Sequence, residues 1–334
     1  MSSTGDTLKA CLLSGRPVDC NFSGAATVGE ARLRVSEALH IPVGCTRLLF
    51  SNGAADSGTE ELREDSQPIS DVLPDAFLLV IVSDPLEQQL AKAAGYDSFE
   101  ELVISECLIL DGKKLKSLPS SVDQLNCLQH LSLKANSLAA LPSAFGNLSA
   151  LTSVELATNQ LNILPDSIGD LTALQSLGLR DNRLQTLPDT IGRLGALRDL
   201  CLSFNFLEVL PDCFGQLSQL RRLQLVNNNI RMLPDTFGSL LNLIELDLTS
   251  NILTTVPAGF SELQALEFLS FRFNELCKLP DSIGTLSRLE TLDLSGNNLT
   301  ALPVWSLQRE YVLRLEGNQR RPWFLVTRAR CTAW

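Results

Sequence analysis

Through most of the chain, leucines and polar residues alternate in a frame that returns every 23 residues. The frame reads Leu-x-x-Leu-x-Leu-x-x-Asn-x-Leu, as in Leu174, Leu177, Leu179, Asn182 and Leu184, and is followed by a Leu-Pro step such as Leu187-Pro188. In the Leu-x-Leu part successive residues face opposite ways, so the leucines point into a core and the residues between them point to solvent. The pattern predicts one short strand per repeat and a parallel sheet stacked along a solenoid. Where each strand bends, inward-facing backbone groups need partners, and an Asn amide supplies both donors and an acceptor. Asn136, Asn159, Asn182, Asn205, Asn228, Asn251, Asn274 and Asn297 are therefore expected to form a structural ladder. The Leu-Pro step sets the return path. Ile168-Gly169, Ile191-Gly192, Phe214-Gly215, Phe237-Gly238 and Ile283-Gly284 pack the convex side, with a glycine for tight turning.

This frame resembles the leucine-rich repeat, and its Leu-Pro-x-x-Ile-Gly segments resemble the intracellular Ras-group type. The resemblance implies an α/β leucine-rich-repeat solenoid over residues 105–303, with a parallel concave sheet. Folding accounts for every repeated residue, so function falls to the unrepeated outward positions. Those positions are mild early in the repeats and become charged and aromatic later. Lys134, Glu155, Arg180, Asp199, Phe204, Arg222, Gln224, Asp247, Phe268, Arg272, Phe273 and Asp293 make up the candidate protein-binding face. Arg and aromatic side chains commonly anchor interfaces. That places the partner footprint across Phe204, Arg222, Asp247, Phe268, Arg272 and Phe273. A competing reading for Phe204 and Phe273, which directly precede the Asn, is that they only cover the sheet edge.

Residues 1–83 break the repeat and form a unit of their own. Leu8, Ala10 and Leu12 alternate, Ser14-Gly15-Arg16 turns, and Val18, Cys20 and Phe22 alternate again, which predicts a hairpin. Thr27 and Glu30 make a capping box before a helix whose apolar positions are Val28, Ala31, Val35, Ala38 and Leu39. Ile41-Pro42 ends that helix, and Arg47-Leu48-Leu49-Phe50 and Phe77 to Val82 read as strands. Together with Ile69-Ser70-Asp71, these segments resemble ubiquitin, implying an α+β ubiquitin-like β-grasp domain. Leu13, Leu49 and Ile81 match ubiquitin's exposed receptor-binding patch, and all three are apolar here. The last strand runs into Ser83-Asp84-Pro85 without a Gly-Gly, so this copy is not expected to act as a conjugated tag, and an acidic insertion lies around Ala54 to Asp65.

Residues 84–104 read as two short helical pieces broken at Gly95, forming a linker or N-terminal cap whose Phe99, Leu102 and Val103 would cover the solenoid's open end. Residues 304–334 read as a partial, out-of-phase repeat at Tyr311 to Asn318 and an atypical basic tail, with six basic and two acidic groups. The order of the two domains resembles the plant family of leucine-rich repeat and ubiquitin-like domain-containing proteins.

Charge and cysteine usage narrow the role. The chain holds 27 basic and 38 acidic residues, a formal net charge of −11, which disfavours nucleic-acid binding. No apolar run approaches a membrane span, and the first residues do not read as a signal sequence. The nine cysteines are scattered and read as reduced, buried residues of a cytoplasmic or nuclear protein. Cys331-Thr332-Ala333-Trp334 matches a prenylation box only in its Cys. His40 and His130 have no partner nucleophile or carboxylate in view, and no phosphate loop, zinc-ligand spacing or nucleophile elbow is present. The chain is therefore expected to be a non-catalytic intracellular adaptor without cofactor or metal. Its repeats would bind a protein client and its ubiquitin-like domain a ubiquitin receptor or proteasome subunit. The alternative is a signalling scaffold whose repeats bind a small GTPase or kinase, the first domain being structural only.

Overall fold

A computed structural model of the 334-residue chain describes residues 9–12, 17–18, 48–51, 60–62, 78–81, 85–96, 99–302 and 311–318. The chain divides into two compact units, Met1–Ile104 and Ser105–Trp334.

In the first unit, β1 (Lys9–Leu12) pairs antiparallel with β2 (Pro17–Val18), as the alternating hairpin pattern anticipates. Strand β5 (Leu78–Ile81) runs parallel to β1 and antiparallel to β3 (Leu48–Ser51). With β4 at Glu60–Leu62, the sheet order is β2-β1-β5-β3-β4. Strand β4 (Glu60–Leu62) lies within the acidic insertion, where no strand was anticipated, because its side chains carry little apolar alternation; it pairs with β3. The capped helix expected after Thr27 lies outside the described residues. Helix α1 (Pro85–Ala94) buries Leu90 and Ala91 and ends where Gly95 turns to φ +88°. The second helical piece is shorter than expected, a single 310 turn at Glu100–Leu102. Phe99, Leu102 and Val103 are buried.

The second unit is one parallel sheet of ten described strands in sequence order. They are β6 (Cys107–Ile109), β7 (His130–Ser132), β8 (Ser153–Glu155), β9 (Ser176–Gly178), β10 (Asp199–Cys201), β11 (Arg222–Gln224), β12 (Glu245–Asp247), β13 (Phe268–Ser270), β14 (Thr291–Asp293) and β15 (Val312–Arg314). Strict register holds from coil to coil, so that Leu200 sits between Leu177 and Leu223. After each Pro, whose fixed φ suits a turn start, the chain makes a five-residue 310 turn such as Asp166–Asp170 or Asp212–Gln216. The Asp of the Leu-Pro-Asp step thus opens a turn on the convex side. Phe214, Phe237 and Phe260 are buried there, with ring centroids 6.2 Å and 5.5 Å apart. Gly215 is required by close approach, since a Cβ at that position would collide with the carbonyl oxygen of Thr236 in the next coil.

The Asn ladder closes the turn after each strand. Asn182 donates to the carbonyls of Leu156 and Leu179, at 3.0 and 3.2 Å, and its side-chain oxygen accepts the Leu161 N–H at 3.0 Å. The residue before each ladder Asn is left-handed. Ala135, Thr158, Asp181, Phe204, Asn227, Ser250 and Phe273 have φ between 53° and 60°.

The segment Tyr311 to Asn318, which arrives two residues early, still carries a strand and a ladder Asn. Strand β15 pairs with β14, and Asn318 donates to Leu294 and Leu315, extending the ladder. One expectation needs correction, because the described cysteines are not buried: Cys107, Cys127 and Cys277 are exposed, and Cys201 and Cys213 half-buried, all as free thiols. They occupy outward positions of the frame, where the leucines leave no room for them inside.

The concave face as candidate functional site

Each strand places its first and third residues on the concave face, and the residue two beyond the strand continues that row. Lys134, Arg180 and Arg272 follow β7, β9 and β13, while Glu155, Asp199, Arg222, Gln224, Asp247, Phe268 and Asp293 lie within the strands themselves. Phe204 and Phe273 are one step further, at the left-handed position on the rim.

Neighbouring coils neutralise several of these charges. Lys134 lies 3.5 Å from Glu155, the Arg222 guanidinium bonds Asp199, and Arg314 lies 3.6 Å from Asp293. The hydrogen bond from Arg222 to Asp199 holds the guanidinium pKa above its ordinary value. Arg222 faces Asp199 in strict register, 23 residues apart, whereas Lys134 reaches Glu155 of the neighbouring coil across 21 residues, beyond the end of the β7–β8 register. Asp247 instead accepts the Thr249 N–H at 3.0 Å.

Arg180 and Arg272 are different. Both are exposed and neither has a carboxylate partner in the sheet; each guanidinium lies over a phenylalanine ring instead, Arg180 at 4.2 Å from the Phe204 centroid and Arg272 at 4.6 Å from Phe273. The Phe273 ring fits because the equivalent residue of the next coil is Gly296, where a Cβ would overlap the ring.

The C-terminal end of the concave face holds a depression of about 580 Å³, lined by Arg272, Phe273, Asp293, Ser295, Arg314, Glu316 and Gly317. Asp293 is buried at its floor and accepts the Ser295 N–H at 3.0 Å. Ser295 donates to Glu316 at 2.6 Å, and this bond lowers the Glu316 pKa. Sequence reasoning passed over Ser295, Arg314 and Glu316 as site residues. Their signal was the run Leu313-Arg314-Leu315-Glu316-Gly317-Asn318, which carries the frame at a spacing shortened from 23 to 21 residues. The footprint proposed from sequence is thereby split. Arg222 is tied to Asp199, Phe204 joins Arg180, and Arg272 and Phe273 border the depression.

In the first unit, Leu13 lies outside the described residues. Register sets Leu49 opposite Val80, and Ile81 opposite Leu48. Among the described residues, no group of three or more His, Cys, Asp or Glu side chains could hold a metal, and no helix is long and apolar enough to cross a membrane.

The frame, the ladder and the parallel sheet together define a leucine-rich-repeat solenoid. Residues 146–228 match the family model described as leucine-rich repeat region, and residues 288–309 match the model described as leucine rich repeat. No curated protein matches the chain. Among solved structures, the chain is similar to the plant peptide hormone receptor RGFR1 in complex with RGF2, at 28% identity over 63% of this chain and 35% of that one, with a TM-score of 0.57. It is also similar to the leucine-rich-repeat ectodomain of the Arabidopsis thaliana receptor kinase GASSHO1/SCHENGEN3 in complex with CASPARIAN STRIP INTEGRITY FACTOR 2, at 30% identity over 64% of this chain and 30% of that one, with a TM-score of 0.56. A leucine-rich-repeat protein of Leptospira interrogans shares 32% identity over 64% of this chain and 66% of that one, with a TM-score of 0.45. The chain thus spans about a third of the length of the two plant receptors and just under two thirds of the Leptospira protein. The solenoid is a protein-interaction fold.

Proposed function

We propose that this chain is a non-catalytic intracellular adaptor, whose concave face holds a client protein while its first unit docks on a ubiquitin receptor or proteasome subunit. The observation that carries the client half is the depression bordered by Arg272 and Phe273, where unrepeated charged and aromatic side chains converge on a scaffold of repeated leucines. Both plant receptor structures above hold a partner in their complexes. The ubiquitin-like half rests on the sheet order β2-β1-β5-β3-β4 with β1 and β5 parallel, an arrangement that fits a β-grasp, and on Leu49 at the centre of β3. Five described free thiols are consistent with a reducing compartment. The absence of any site constellation in the sequence supports a binding role over a catalytic one.

Affinity capture with the intact chain, Leu49→Arg, and the double variant Arg272→Ala with Phe273→Ala tests both halves. The adaptor reading expects ubiquitin-receptor or proteasomal proteins to disappear only with the Leu49 change, and a separate client only with the repeat changes. An unchanged set of recovered proteins in both variants would overturn it.

A further inference from the structure

Five cationic side chains occupy the first and third positions of the described concave strands or the position two beyond each strand, and their partners divide them into two groups. Lys134, Arg222 and Arg314 are neutralised by carboxylates of adjacent coils. Arg180 and Arg272 are exposed, have no carboxylate partner among the described residues, and are held over Phe204 and Phe273. A ring beneath a guanidinium steadies its plane while leaving its N–H edges open to a planar anion, which a salt bridge would instead occupy.

The rings occupy an unfavourable backbone position. Phe204 and Phe273 have φ +60° and +54°, and left-handed backbone is unfavourable for an ordinary L-residue. Gly, Asn or Asp suits that conformation better, and Gly112, Asp181, Asn227 and Gly296 fill the equivalent place in other coils. Bulky residues at strained positions point to a use outside folding, and the only bulky aromatic residues in this row are the two that support the unpaired arginines.

Arg180 and Arg272 are equivalent positions four repeats apart. Four strand steps separate them by roughly 19 Å. The intervening residues of that row are Ser203, Val226 and Thr249, which are uncharged and leave a lane between the two cations. Asp181, exposed beside Arg180, and Asp247, tied to the Thr249 N–H, flank the lane and disfavour a uniformly acidic ligand.

We propose that Arg180 and Arg272 are paired receptors for an extended segment of a partner protein, each taking one of two carboxylates spaced about six residues apart, the length of extended chain that spans the gap. This rests on the concave-face reading above and gives the client a chemistry: two separated acidic side chains with a small, uncharged stretch between them.

The probes are fluorescein-labelled peptides of Gly, Ser and Thr carrying two Glu residues about three, about six or about nine positions apart. A phosphoserine version and a thymidine oligonucleotide complete the set, and anisotropy is read against the full chain. The peptide with the intermediate spacing is expected to bind tightest, and to weaken as salt rises. Arg180→Ala and Arg272→Ala should each weaken it about fivefold, near the upper end for an exposed ion pair. Arg193→Ala, whose cation lies beside Asp170 in the turns away from the concave strands, should leave it unchanged. Phe204→Leu keeps the charge but removes the platform, and should weaken binding less than Arg180→Ala. Equal affinity at every spacing, no binding, indifference to either arginine, or preference for the phosphoserine peptide or the oligonucleotide overturns the proposal. A client released by the Arg272 and Phe273 double change but retained by Arg180→Ala overturns the paired receptor alone and leaves the concave-face reading standing.

Discussion

The side-chain oxygen of Asn318 accepts the backbone N–H of Leu299 at 3.1 Å, across 19 residues. Asn205 makes the same contact to Leu184 across 21. The last described coil is two residues shorter, yet it keeps the ladder. The unit that repeats is therefore a hydrogen-bonding requirement, and chain length between ladder positions can vary around it.

That requirement sets the cost of losing a rung. Asn228→Ala would leave the Leu207 N–H and the carbonyls of Leu202 and Leu225 without their side-chain partner, all buried. We expect a loss of about 3 kcal/mol in unfolding free energy by urea titration, consistent with buried groups left unsatisfied. Asn318→Ala should cost clearly less, since a terminal coil contributes fewer neighbour interactions. Equal costs would contradict a ladder whose strength comes from stacking.

The residues that repeat were readable because each faces the same surroundings in every coil. A period of 23 therefore announced strand, turn and core together. The pairing of Arg180 with Phe204 was not readable, because it depends on the side-chain direction that left-handed backbone imposes on Phe204. Nor was the role of Gly178, which lies under the Glu155 carboxylate; in sequence it is only a strand residue with poor propensity. Asp293 read as an outward charge yet is buried, since Ser295 and Arg314 cover it from the next turn and the next coil.

Two glycines in neighbouring coils, at different positions of the frame, should answer oppositely to a methyl group. Gly215→Ala drives a Cβ into the Thr236 carbonyl, a backbone atom that cannot swing aside. Overpacking of this kind costs about 2 kcal/mol. At Gly195, which is exposed, the nearest atom to an added Cβ lies at 4.0 Å and φ is not positive. Gly195→Ala should be neutral or stabilising by about 0.5 kcal/mol, because it narrows the unfolded ensemble. Thermal unfolding of both variants checks the contrast.

Phe204→Asn separates stability from binding. Asn adopts left-handed backbone with less strain, a relief of roughly 1 kcal/mol. Against it stands the loss of the Arg180 contact, about 0.5 kcal/mol at an exposed site. The variant should match or slightly exceed the parent in denaturant midpoint. A clear destabilisation would mean that the ring supports the fold more than it supports Arg180.

Acid should reveal the Ser295–Glu316 bond. Because Ser295 donates to it, the Glu316 carboxylate has a folded pKa below its ordinary value. A depressed folded pKa means that the unfolded chain takes up the proton first as pH falls. The carboxylate's contribution is therefore fully present above the unfolded value, shrinks as pH drops below it, and is gone once pH passes the folded value. Glu316→Gln removes the charge but keeps an acceptor for Ser295. The stability gap between parent and variant should be largest near neutral pH and close toward strongly acidic pH, read from unfolding midpoints across a pH series. A gap that stays constant would show that Glu316 acts through packing or through its other neighbours, and that the hydrogen bond from Ser295 carries no preference for the charged form.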